Sequence, residues 1–222
     1  QKKTRKKFRE KGLEIKMFIN DPESNLQGYI LETKSKEIIV SFRGTEGIFN
    51  LKDVDNDLQL SLENNKQYRK AYKIITDYIK NEKLENKLIL FTGHSLGGYL
   101  VQRAMVEAYQ LAYSDSRVMT PKENVVYRNF YNNILKKGTT FNAPKVVTSL
   151  VSNREFWQKG LDSKKIAQSG KMTHYIVDND QTIKKGVSND SDVVINVGST
   201  RGGHSSRSYF ENDMINRRPE FI

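Results

Sequence analysis

Apolar residues recur along the chain at two spacings, every second position in short runs and every third to fourth in longer ones, and this predicts its elements. Residues 26–31 and 37–42 are strand-like, and Lys34-Ser35-Lys36 between them reads as the turn of an antiparallel hairpin leading into Arg43-Gly44-Thr45. Over 67–80, Ala71, Ile74, Ile75 and Tyr78 fall at helical spacing. Leu88-Ile89-Leu90-Phe91 is a continuous apolar run suited to a strand buried on both faces. Tyr99 to Tyr113 holds no glycine or proline and sets Leu100, Ala104, Ala108 and Leu111 on one helical face. A polar stretch over 114–121 breaks that pattern. It is followed by a predicted helix over 123–135, strands over 139–142, 173–177 and 192–197, and a last helix over 208–216. Strands alternating with helices predict an α/β fold with a mostly parallel central sheet, helices on both faces, and active residues on loops at the carboxyl ends of the strands.

The chain has 222 residues, which suits a single domain over 1–222, with 1–12 as a basic tail or helix. Its net charge of +11 implies an anionic partner: a lipid surface, a nucleic acid or an acidic protein. The densest cluster is Lys2, Lys3, Arg5, Lys6, Lys7 and Arg9, and a solvated tail is the simplest account of it. Cations of this kind gain ~1 kcal/mol each only when they sit at an anionic membrane. The other basic residues are interspersed with acidic ones and lack the aromatic interleaving of a single-strand groove, so no nucleic acid is expected. No apolar run approaches the roughly 20 residues of a membrane span, so the chain reads as soluble. It opens on Gln1 rather than Met, which leaves room for a preceding segment. The absence of cysteine excludes disulfides, thiolate metal sites and a cysteine nucleophile. Asp53, Asp55 and Asp57 imitate the start of a calcium loop, but Leu58 stands where its glycine is needed, so no metal is expected there. No phosphate-binding or dinucleotide motif is present, and no cofactor is expected.

The candidate chemistry lies at Gly93-His94-Ser95-Leu96-Gly97. A G-x-S-x-G segment after a buried strand and before a helix is how α/β-hydrolases hold a nucleophilic serine on a strained turn. Serine needs a base to take its proton and a carboxylate to orient that base. Three histidines are available. His94 adjoins the serine, where its side chain would point away, and His174 lies within a strand. His204 follows a strand and the Gly198–Gly203 loop, and the chain order Ser, acid, His selects it. Asp178, Asp180, Asp190 and Asp192 are the acids near strand ends, and Asp180 is favoured because it lies in the loop beyond its strand, with Asp178 next. For the oxyanion, one donor is the Leu96 N–H, and the other is expected from the loop after the early strand, at Thr45.

Taken together, Ile38–Thr45, Gly93–Gly98 and Thr140-Phe141-Asn142-Ala143-Pro144-Lys145-Val146, with Asp57-Leu58, Ile176–Asp180 and His204, resemble the class 3 (fungal-type) lipase family. The resemblance runs from about Gln27 onward. It implies an α/β-hydrolase fold, a Ser95, Asp180, His204 triad, oxyanion donors at Thr45 and Leu96, and hydrolysis of lipid carboxyl esters. Two features depart from the family pattern: Asn142 stands where the family often has glycine, an exchange expected to touch packing, and Gln181–Lys185 replaces an apolar stretch after the acid. The segment carrying Ile48, Phe49 and Leu51, where such enzymes place a lid, is short and polar.

The first expectation is therefore a serine hydrolase acting on phospholipids ahead of triacylglycerols at a membrane interface, with peripheral membrane contact. A secreted or extracellular effector or toxin would fit the charge balance, and nothing in the sequence points to a particular inhibitor or immunity protein. The alternative is a hydrolase-fold binding module that has lost catalysis and uses its basic face to hold an anionic partner.

Overall fold

The computed structural model describes residues 2–24, 26–44, 70, 71, 73, 74, 77, 87–113, 120–143, 162–177 and 192–195. Their centre is a seven-stranded sheet whose strands lie side by side in chain order. The strands are β1 (Leu13–Asp21), β2 (Leu26–Thr33), β3 (Ile38–Phe42), β4 (Ile89–His94), β5 (Leu135–Phe141), β6 (Met172–Val177) and β7 (Asp192–Ile195). β1, β2 and β3 pair antiparallel, and every pairing from β3 to β7 is parallel. The helices are α1 (Lys2–Glu10), α2 (Leu96–Tyr113), α3 (Pro121–Asn129) and α4 (162–168).

The hairpin forms as expected, closed by Thr33 N–H to the Glu37 carbonyl at 2.9 Å and Lys36 N–H to the Thr33 carbonyl at 3.0 Å. Side-chain alternation then sorts the sheet into two faces. Ile30, Val40, Phe91 and their row-mates point to one face, where they pack with Leu100, Val101, Ala104 and Met105 of α2, Ala71, and Ile166 of α4. Tyr29 points to the other face and meets Phe8 of α1, with ring centroids 5.3 Å apart. Helices therefore cover both faces, in an α/β-hydrolase architecture.

Several boundaries differ from the sequence reading, each for a local reason. The sheet begins one strand early: β1 escapes an alternation search because its register slips between Ile15 and Met17, and the extra residue breaks the period of two. α3 starts at Pro121, before the expected Glu123, because Thr120 and Glu123 form a reciprocal capping box with Pro121 in the first turn. It stops at Asn129, a π-helical turn spans Phe130–Ile134, and β5 then takes Leu135 to Gly138, where the sequence predicts the end of a helix and a connection. Lys171 secures this junction, donating to the Leu135 carbonyl at 2.6 Å with its ammonium 5.1 Å from the Tyr131 ring centroid. Helix α2 is buried on nearly all sides, including Gln102 and Arg103, while Leu111 is only half-buried. Within the expected 67–80 helix, Lys70, Ala71, Lys73, Ile74 and Asp77 are helical. The helix expected over 208–216 lies outside the described residues.

Glu32 ties the hairpin to the parallel half of the sheet. Its buried carboxylate accepts from Lys87, just before β4, at 2.7 Å and from Lys36 at 2.9 Å. These bonds, the Lys87 one first, hold the carboxyl down from 4.5 to about 2. A folded-state value below the unfolded one adds stability that is fully present above about 4.5 and is lost as pH falls toward about 2. Glu32→Gln is therefore expected to melt below the wild type at neutral pH. The gap should close as pH drops through that window, read from melting temperature against pH.

Candidate active site

The carboxyl edge of the sheet is built around the turn from β4 to α2. Ser95 stands between His94, the last residue of β4, and Leu96, the first of α2, and its φ is 53°. A residue with a Cβ enters that left-handed region at a cost of about 1–2 kcal/mol, so surrounding contacts must impose it. Here they do. The Ser95 N–H donates to the Phe141 carbonyl of β5 at 3.0 Å, and the Ser95 carbonyl accepts from the N–H groups of Gly98 at 2.9 Å and Tyr99 at 3.1 Å. One neighbour fixes the amide and the first turn of α2 fixes the carbonyl.

The flanking glycines supply room. A Cβ on Gly97 would stand 2.3 Å from the Phe42 carbonyl oxygen, and one on Gly93 would stand 2.3 Å from the Gly97 oxygen. Both collisions are with backbone, which cannot rotate aside. Helix α2 thus sits directly on the ends of β3 and β4, with its N-terminus at Ser95. Leu96 N–H belongs to the first helical turn, whose amides have no carbonyl partner within the helix, and the helix dipole places partial positive charge there. A nascent oxyanion beside Ser95 would meet that end.

The chain leaving β3 passes against the same point. A Cβ on Gly44 would be 2.8 Å from the His94 carbonyl oxygen and 3.2 Å from the Ser95 Cβ. Thr45, the next residue and the expected second donor, lies outside the described residues, as do Asp178, Asp180, Asp190 and His204. The structure thus positions Ser95 and Leu96 and describes no partner position of the expected triad. Two open readings do become clearer. Asp192 opens β7 opposite His174, three registers short of Ile195, so it sits away from the carboxyl edge. His174 is buried beneath the edge, with Nδ1 2.7 Å from the Thr140 hydroxyl oxygen, which is a structural position.

Asn142 answers the departure noted at its position. Its φ is 42°, and its N–H donates to the Tyr175 carbonyl at 2.9 Å as β5 leaves the sheet. Asparagine is one of the few side chains that enter this region readily, so the exchange with glycine preserves a backbone conformation rather than adjusting packing. Beside it, the rings of Phe141 and Tyr175 stack with centroids 5.2 Å apart. Among the described residues no group of three His, Cys, Asp or Glu side chains is arranged to hold a metal ion.

Residues 2–114 match a family model of phospholipase-like type, described as a Tle-like phospholipase domain. The chain belongs to the Tle-like phospholipase family. In this Tle-like domain the matched segment runs from α1 through the end of α2, so it takes in the Ser95 turn and the Gly44 approach and stops before β5. The membership agrees with the lipase resemblance read from the sequence. No curated protein matches the chain. Among solved structures it is similar to a lipase from Rhizopus microsporus var. chinensis, at 16% identity and a TM-score of 0.46, over 87% of this chain and 64% of that one. It is also similar to the Lip2 lipase from Yarrowia lipolytica, at 16% identity and a TM-score of 0.48, over 83% of this chain and 66% of that one. The chain spans less than two thirds of the length of either lipase. The sheet order of the Tle-like domain and its strand, serine, helix turn have the α/β-hydrolase arrangement.

Proposed function

We propose that the chain is a serine carboxyl-ester hydrolase that cleaves acyl esters of phospholipids at a membrane interface. The observation that carries this reading is Ser95 held at a φ of 53° on a glycine-bracketed turn at the N-terminus of α2. In the proposed mechanism the Ser95 hydroxyl oxygen attacks the ester carbonyl carbon while His204 takes its proton and Asp180 orients the imidazole. The N–H groups of Leu96 and Thr45 hold the oxyanion, and collapse expels the lysolipid alkoxide, which takes the proton from His204. Water then releases the fatty acid from the acyl-enzyme. The family's phospholipase description and the net charge of +11 favour phospholipids over triacylglycerols. Action outside the producing cell, as a secreted effector or toxin in peripheral contact with a target membrane, is the biological role that fits this chemistry.

The test is product analysis on mixed vesicles of phospholipid and triacylglycerol. The proposal predicts free fatty acid and lysophospholipid from wild type and neither from Ser95→Ala. Diacylglycerol as the main product, or equal products from the two proteins, would overturn it.

A further inference from the structure

Strand β1 is an edge of the sheet, three strands and roughly 15 Å from β4 at ~4.8 Å per strand. Its middle departs from what an edge in water should show. Met17 and Phe18 are 48% and 47% exposed, side by side at the register slip. Edge strands in water are normally blunted by charge or cover, so two large apolar side chains exposed in succession along it, Phe18 on the Tyr29 face and Met17 on the Ile30 face, mark an interaction surface. α1 lies next to them. It docks on the sheet through Phe8, whose ring meets Tyr29, while Arg5, Lys6, Lys7 and Arg9 remain exposed. Between helix and strand is a cleft of about 280 Å³, lined by the half-buried Ile15 and Tyr29 and by the exposed Phe18, Met17, Arg5 and Lys16. Glu14 lies 3.5 Å from Lys16, but both are exposed, and such a pair is weak enough to be given up to a stronger anion.

A cleft lined by apolar side chains and cations is the layout that an anionic lipid surface complements: phosphates against Arg5 and Lys16, acyl chains against Phe18 and Met17. The geometry points to this α1/β1 face as the site by which the protein docks on anionic phospholipid membranes, separate from the Ser95 edge. The inference rests on the membrane-interface part of the proposed function and adds the surface that makes the contact. Charge decides the occupant, since a second copy of this chain would bring the same cluster of cations against itself.

The experiment uses the full chain with Ser95→Ala, so that binding is read without hydrolysis, and compares phosphatidylcholine vesicles with and without phosphatidylglycerol. Binding is expected only to the anionic vesicles. Arg5→Gln/Lys6→Gln/Lys16→Gln should weaken it by about fivefold per cation removed. Met17→Ser/Phe18→Ser should weaken it on the order of tenfold while leaving the part that salt abolishes. In the wild-type background both variants should hydrolyse a soluble short-chain ester at the unaltered rate, which separates this inference from the catalytic one. If no ester is cleaved but binding follows these substitutions, the docking face stands and the hydrolase reading fails. Vesicle affinity unchanged in both variants, equal binding to neutral vesicles, or a dimer that Met17→Ser/Phe18→Ser dissociates without altering vesicle affinity would overturn the inference. Should the triple variant fail to fold, the Met17/Phe18 pair decides alone.

Discussion

Ser95→Ala is expected to lower ester turnover by on the order of 10⁶-fold, to the assay floor, while the protein still folds. The fold survives because the serine contributes its backbone to the turn through the Phe141, Gly98 and Tyr99 bonds, and alanine keeps all three. The strain at φ 53° gives the same position a second, opposite signature. Glycine enters the left-handed region without the Cβ penalty of about 1–2 kcal/mol, less about 0.4–1 kcal/mol for the extra freedom of its unfolded chain. Ser95→Gly should therefore be inactive like Ser95→Ala yet more stable than it by roughly 0.5–1 kcal/mol, measured by chemical denaturation. Two inactive variants that differ in stability in this direction would show that the backbone is bent for a purpose other than stability. A serine that merely fills a turn would give no loss of turnover.

Gly97→Ala is expected to be, with Gly93→Ala, among the most damaging single-methyl changes in the described residues around this turn. The new carbon would stand 2.3 Å from the Phe42 carbonyl oxygen and 2.8 Å from the carbon bearing it, both backbone atoms of a central strand. Relief requires α2 to lift off β3 as a body, because thirteen of its residues are buried and locked into the core. Overpacking of that kind costs about 3 kcal/mol or more, at the upper end of its usual range. The lift would also carry the Leu96 N–H and Ser95 away from each other's working positions, and a displacement of about 1 Å can cost about 100-fold in turnover. A lower denaturation midpoint together with reduced turnover in the surviving folded fraction is the expected pair of results. Unchanged stability would mean that helix and strand are not in the contact described.

The site was legible in the sequence where chemistry and local geometry coincide. Gly93, Ser95 and Gly97 could be read because a strained turn admits few residues, and Leu88 to Phe91 because a strand buried on both faces leaves no polar position. β1 was not legible because a single inserted residue shifts the phase of its alternation. α3 could have been placed correctly, since Thr120-Pro121-Lys122-Glu123 carries a capping box in plain form. At position 142 the difference in size between glycine and asparagine suggests a packing exchange, whereas their shared tolerance of positive φ is what matters there. The burial of Gln102 and Arg103 within α2 runs against their polarity. It follows from where the helix lies, packed on β3, β4 and β5 with α3 against it, which no helical period reveals. The acid and base positions are of another kind: Asp180 and His204 rest on chain order and lie outside both the family match and the described residues.

Labelling of the native wild-type protein with a fluorophosphonate, followed by peptide mapping, reads the reactivity of Ser95 itself, because the probe reports a serine hydroxyl activated by its surroundings. One adduct is expected, on the peptide that carries Ser95, formed by folded protein and lost on unfolding. An unlabelled protein, or an adduct on a different serine, would contradict Ser95 as the nucleophile.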